Sequence, residues 1–250
     1  MRRFIALLAC GLTIAGIAAA AGCTPSTIEP SGSIQTETRE IGEVTAVELE
    51  CPADVTLVAY SEPGVTIRAD AAAMRYITTT ESNGVLTISV ENGGAAIEVA
   101  QDVVIEIEVR SSAFSAMKKT GRGSIKAETL EADQLIVGNF GAGPIEIGRA
   151  NAVQVTAEVG GVGDVIIGGG QAGAAEVRVS ESGSYLAPDL ECAVVTVTLT
   201  GSGDAEVWAT EGLDATVNGT GYVKYWGDPE LTEEAKNSGK TQSLGRKEPQ

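Results

Sequence analysis

Histidine is absent from this 250-residue chain. That excludes hydrolytic triads with an imidazole base and zinc sites with a histidine ligand. Basic residues are scarce: 17 Lys+Arg stand against 34 Asp+Glu, for a formal net charge of −17. A nucleic-acid surface needs a basic footprint on phosphate, and charge-driven contact with anionic lipid needs the same sign. Nucleic acid is therefore excluded as a partner, and so is membrane binding by charge. The acidity reads most simply as a solubility device for an exposed surface. Aromatics are few, with two Trp, five Tyr and three Phe. No motif calls for a cofactor or a metal.

What is present begins with a leader. Arg2 and Arg3 precede an apolar run from Phe4 to Ala21, and Ala20-Ala21-Gly22 leads into Cys23. This arrangement resembles the lipobox of a bacterial lipoprotein, with Ala20 where Leu is more usual, and makes Cys23 the expected lipidation site. Two other readings stay open: an ordinary signal-peptidase site at Ala18-x-Ala20, and an apolar membrane anchor. All three export the remainder, and the position of Cys23 favours the first. The expected location is the cell envelope, anchored by lipid and facing the periplasm or the cell surface. Residues 1–22 then form a lipoprotein signal peptide, 23–40 a flexible tether, 41–229 the folded domain and 230–250 a polar C-terminal tail.

Glycine carries the architecture. Gly123, Gly143, Gly163, Gly183, Gly203 and Gly221 recur at steps of 20, 20, 20, 20 and 18 residues. A fixed period of this length predicts an all-β solenoid of coils of about 20 residues, each burying its apolar face against its neighbours. Between the glycines, apolar and polar residues alternate. One inward set is Ile125/Ala127, Ile145/Ile147, Val165/Ile167, Leu186, Ala205/Val207 and Val223/Tyr225. A second is Leu135/Val137, Val153/Val155, Val177/Val179, Val195/Val197/Leu199 and Leu213/Ala215/Val217. Thr196, Thr198 and Thr200 face outward. The glycines are expected at corners, for positive φ and for close backbone approach. Val44 to Val109 is also strand-like but less regular, and Asn83-Gly84 suits a tight hairpin.

The period constrains the chemistry. Cys51 and Cys192 are about seven coils apart if coils follow chain order, on the order of 30 Å at strand spacing. A disulfide needs Cα atoms within about 7 Å, so two buried free thiols are expected. Asp164 and Asp204 in Gly-x-Gly-Asp turns lie two coils apart, too far to share one calcium ion. They read as turn carboxylates bonded to nearby backbone N–H groups. Lys118, Lys119 and Arg122 read as a solvated turn in preference to a grip on an acidic polymer. Trp208, Tyr222, Tyr225 and Trp226 gather near the end of the last glycine-marked coil. They offer a sugar-stacking platform or, preferred on general grounds, an apolar cap.

Val44-Thr45-Ala46-Val47-Glu48-Leu49, Pro52, Val55-Thr56-Leu57 and Asn83-Gly84-Val85-Leu86-Thr87-Ile88 resemble the opening of the putative auto-transporter adhesin, head GIN domain family. Gly201 to Val207 and Leu213 to Pro229 resemble its ending. The resemblance implies a right-handed parallel β-helix-like solenoid on the cell envelope and brings no ligand or functional residues. The reading that follows is a non-enzymatic, lipid-anchored envelope protein whose surface serves adhesion or binds a protein or glycan. The alternative is a polysaccharide-acting β-helix enzyme using a carboxylate pair.

Overall fold

The computed structural model describes residues 27–247. Its irregular N-terminal half contains β1 (Ile34–Arg39), β2 (Ala46–Leu49), β3 (Asp54–Val58), β4 (Gly64–Asp70), a single helical turn α1 (Ala71–Met74), β5 (Ile77–Ser82), β6 (Val85–Asn92), β7 (Ala95–Ala96), β8 (Ile105–Arg110) and β9 (Ala116–Lys119). The regular half contains β10 (Ser124–Asn139), β11 (Ile145–Val159), β12 (Val165–Ile167), β13 (Gly170–Val179), β14 (Tyr185–Leu199), β15 (Ala205–Val217), β16 (Tyr222–Trp226), β17 (Glu230–Ala235) and β18 (Lys240–Gly245).

The regular half is a stack of parallel coils whose register repeats the glycine spacing. Ile125 pairs with Ile145, then Val165, Tyr185, Ala205 and Val223 follow in one column. On another side Val137, Ala157, Val177, Val197 and Ala215 stack in the same way. Every residue of both columns is buried. Stacking like on like lets each coil bury against the next what it cannot bury alone.

Two inward assignments need correction. Leu186 is only half-buried, whereas Tyr185 and Ala187 are buried. Tyr185, not Leu186, continues the column of Ile145 and Val165, so alternation turns Leu186 outward. Val153 is 66% exposed. It falls within β11 where pairing breaks between Ala152 and Gln154, so it stands at a corner and turns outward.

The corner glycines are explained by crowding alone. None of the six has positive φ, contrary to half of the expectation. A Cβ on Gly163 would lie 2.1 Å from the Gly143 carbonyl oxygen, and one on Gly123 1.7 Å from that of Ala53. Each coil thus rests its corner on the carbonyl of the coil before it, where no other residue fits. Positive φ is found instead at Asn83 (52°) and Gly84 (76°), which close the expected β5–β6 hairpin.

Coil order departs from chain order in the N-terminal half. β2 lies between β6 and β9, and β3 between β8 and β10, all in parallel. After β2 and β3 the chain therefore passes outward through β4 and β5, returns as β6 and β8 against β2 and β3, and steps back over β2–β3 to continue as β9 and β10. This shortens the separation of the cysteines. The corner of Cys51 lies directly under Gly121, followed by Gly141, Gly161 and the turn of Glu181, whose coil carries Cys192. That is four layers, not seven, or about 19 Å at strand spacing. Both thiols are free and buried. Cys192 stands in a column of small residues with Ala152, Ala172 and Ala209.

Both ends of the stack are closed, by segments read above as tether and tail. At the N-terminal end Ile28 is buried and bridges to Val99. The Ser31 amide donates to Asp70, which also caps α1 through Ala72 N. β1 pairs antiparallel with β4, and β4 with β8. Of the expected tether, residues 27–39 are thus part of the fold. At the other end β17 and β18 pair with β15 and β16 as one further coil, so residues 230–245 are not a tail. Its corner uses Gly239, twenty residues after Gly219. Cys23, the expected lipidation site, lies outside the described residues.

Candidate ligand-contact surface

The interior is filled with packed side chains, so contact chemistry must sit on the outer faces and corners. There the Asp residues act between coils. Asp164 Oδ1 accepts from Ser184 N at 2.8 Å, and Asp204 Oδ1 accepts from Tyr222 N at 2.8 Å. Ser184 Oγ accepts from Asp204 N at 3.2 Å, and Asp54 Oδ1 accepts from Ser124 N at 3.1 Å. The carboxylates bond nearby backbone N–H groups, as expected, and each partner amide belongs to a neighbouring layer. These groups join adjacent coils at a corner where backbone amides would otherwise face outward unpaired. Among the described residues no group of three or more Cys, Asp or Glu stands close enough to hold a metal ion.

The three basic residues do not form a solvated cluster. Lys118 faces out and pairs with Glu48 at 3.6 Å. Lys119 is fully buried, with Nζ donating to the Gly121 carbonyl at 3.1 Å. Burial holds its ammonium well below the usual lysine range, at about 8. Arg122 donates to the Val99 carbonyl at 2.9 Å.

The four candidate aromatics separate into two settings. Tyr222 and Tyr225 lie within the stack, paired in register with Lys240 and Ser243 of β18. Tyr222 is 40% exposed, and Tyr225 packs against the core. Trp208 is buried but not in the central core. It projects from the outer side of β15, between the inward Val207 and Ala209, in register with Trp226. Trp226 Nε1 donates to Glu206 at 3.0 Å. Lys247 lies over both indoles, 5.4 Å from the Trp208 centroid and 5.2 Å from that of Trp226. The apolar-cap reading therefore does not hold: a further coil covers these residues, and that coil is polar.

A groove of about 850 Å³ lies elsewhere. It runs over the outer faces of β3, β10, β11 and β12, with Gly148 and Gly168 on its floor, Lys126, Glu146 and Ile166 along it, and Tyr60 at one wall. Lys126 and Glu146, adjacent in register, form an ion pair at 3.0 Å. Tyr60 is 62% exposed and holds φ at 61°, a conformation that costs a bulky residue energy. Partial desolvation, and then the Glu131 carboxylate beside it, pushes its hydroxyl above the ordinary phenol range. Sequence reading missed Tyr60; the available signal was an aromatic two residues before the turn at Glu62-Pro63-Gly64. A second groove of about 470 Å³ is apolar, between Ala46, Ala116, Ile136 and Phe140.

Comparison with known proteins agrees with this architecture. Residues 43–229 match the model of the family described as "Putative auto-transporter adhesin, head GIN domain". A crystal structure of a "putative adhesin" from Bacteroides fragilis NCTC 9343 superposes with a TM-score of 0.77 at 22% identity, covering 86% of this chain and 99% of that one. Another "putative adhesin", from Parabacteroides distasonis ATCC 8503, gives 0.70 at 18% identity over 88% and 100%. A "putative lipid binding protein" from the same organism gives 0.71 at 19% identity, again over 88% and 100%. No curated protein matches the chain. No helix among the described residues is long and apolar enough to cross a membrane.

Proposed function

The chain belongs to the putative auto-transporter adhesin, head GIN domain family, and from that premise we propose that it is a non-enzymatic envelope protein, exported and lipid-anchored through Cys23, whose solenoid surface binds a glycan in the groove beside Tyr60. One observation carries the reading. An exposed aromatic ring, held at a costly backbone angle, lines a groove together with two glycines and charged side chains. Strained exposed residues of this kind concentrate at sites of contact. A flat ring in a groove whose lining includes Gly148, Gly168 and the apolar Ile166 suits the apolar face of a sugar, and Lys126, Glu128 and Glu146 supply hydrogen-bonding groups for its hydroxyls. The names of structural neighbours as adhesins support the class of function.

The test is a glycan array probed with the native protein and with Y60A. The expected result is a restricted set of bound glycans, with binding lost by at least tenfold in Y60A at unchanged melting temperature. Equal binding by both proteins would remove the groove from the account. Metabolic palmitate labelling of the native protein but not of C23A tests the anchor.

A further inference from the structure

The setting of Lys247 is that of a bound ligand. Its ammonium donates to the Pro188 carbonyl at 2.9 Å and to the Asp189 carboxylate, and it stands over two indole rings. Its side chain is only 20% exposed. Two ring faces, a carboxylate and a carbonyl are a complete set of partners for a primary ammonium. Pro188 and Asp189 lie where β14 and β15 lose register between Leu186 and Glu191, an irregularity of the kind that re-aims groups at binding sites. On the outer side of that face the preceding coils carry Asn151, Gln171 and Glu191, in register with Trp208 and then Trp226. The indoles thus replace polar side chains and gain nothing from the central core.

Strand pairing holds the chain as far as Gly245, and between there and the cage it is held lightly. Beside Lys247, Arg246 makes an ion pair with Asp228, and those two side chains are 82% and 71% exposed. Such a pair contributes about 0–1 kcal/mol.

We infer that Trp208, Trp226, Asp189 and the Pro188 carbonyl form a lysine-binding site, filled in cis by Lys247 and open to a lysine side chain of a partner polypeptide when Lys247 leaves. The site accepts a lysine stem and ammonium by construction, because it holds one. A net charge of −17 favours approach by a basic partner. Two of the four partners are hydrogen-bond acceptors, so a primary ammonium is preferred to a quaternary one. The site is independent of the groove beside Tyr60.

The two indoles are the only tryptophans in the chain, so tryptophan emission, excited at the red edge where tyrosine does not absorb, reports on this site alone. Full-length native protein, K247A, K247Q and K247A/D189N are titrated with Nα-acetyl-lysine methylamide, the norleucine analogue and glucosamine. The expected result is a saturable emission change with the lysine probe in K247A or K247Q. Half-saturation should come at a concentration at least tenfold lower than in the native protein. No comparable change is expected with the norleucine analogue or glucosamine, nor with K247A/D189N. Absence of a saturable change in folded K247A and K247Q would overturn the proposal. An equal response to norleucine would remove the ammonium from it, and an equal response to glucosamine would remove the polypeptide partner. Failure of both single variants to fold would show Lys247 to be a structural clasp and overturn it as well.

Discussion

Lys119 and Asn139 stand next to each other in a column that is otherwise Leu49, Val159, Val179, Leu199 and Val217. Both are fully buried. Asn139 is satisfied: its amide nitrogen donates to the Gly143 and Asp164 carbonyls, both at 2.9 Å, and its oxygen accepts from Gly141 N. Lys119 has the Gly121 carbonyl alone. With a folded value of about 8 against 10.5, both states are protonated below pH 8, and the folded state carries the whole burial penalty. Between about 8 and 10.5 the unfolded chain binds more protons, so stability rises with pH in that window. K119M should be more stable than the native protein at pH 7, by on the order of 2–3 kcal/mol. It should also lose the rise seen in urea unfolding between pH 8 and 10. A native profile flat in that window would contradict this. The cysteines behave in the opposite sense: burial first, and then the neighbouring carboxylates Glu50 and Glu191, pushes both thiols up to about 12. Iodoacetamide at pH 8 should leave Cys51 and Cys192 of the folded protein unmodified and alkylate both once urea is added, as read by mass spectrometry.

At the scale of the element, the corner is the informative unit. G163A places a methyl group 2.1 Å from one backbone oxygen and 2.8 Å from another, so both coils must shift. A loss of about 3 kcal/mol or more is expected in chemical denaturation. V162A at the same corner, where the side chain is 63% exposed, should change stability by less than about 0.5 kcal/mol. These corners and the buried columns were legible from spacing and alternation, because each coil meets only its neighbour and the pairing partner is always about twenty residues away. Where pairing is non-local the spacing is silent. Nothing in Val44 to Val109 announces that β6 and β8 stack on the far side of β2 and β3, a pairing across 39 residues for Ala46 with Val85 and 52 for Asp54 with Glu106. The last coil was missed for another reason. Gly239 keeps the period, but Glu233 and Thr241 occupy inward columns where Ala215 and Val223 stand one layer earlier, so the apolar alternation fades. Of the contact surface, the aromatic grouping was visible but its partner Lys247 was not, and Tyr60 depends on an excursion of the backbone.

For the whole molecule, those polar replacements have a purpose. A stack of parallel coils would expose two strand edges and an apolar cross-section, an invitation to pair with another chain. β17 is exposed at every position and carries Glu230, Glu233 and Glu234, a polar terminal repeat of the sort solenoids require. A chain ending at Pro229 should therefore self-associate, eluting from size exclusion as a broad high-mass species where the full chain is discrete. A discrete truncated species would show the last coil to be dispensable. With its interior filled and both ends closed, the molecule is left with its sides for contact, where the proposed glycan groove lies. The most direct measurement incubates a polysaccharide selected on the array with the native protein and follows both complex formation and the release of reducing ends. The account predicts a complex from which the polysaccharide is recovered at unchanged length. New reducing ends that accumulate with time and are lost when Glu128 or Glu146 is replaced by Gln would contradict it.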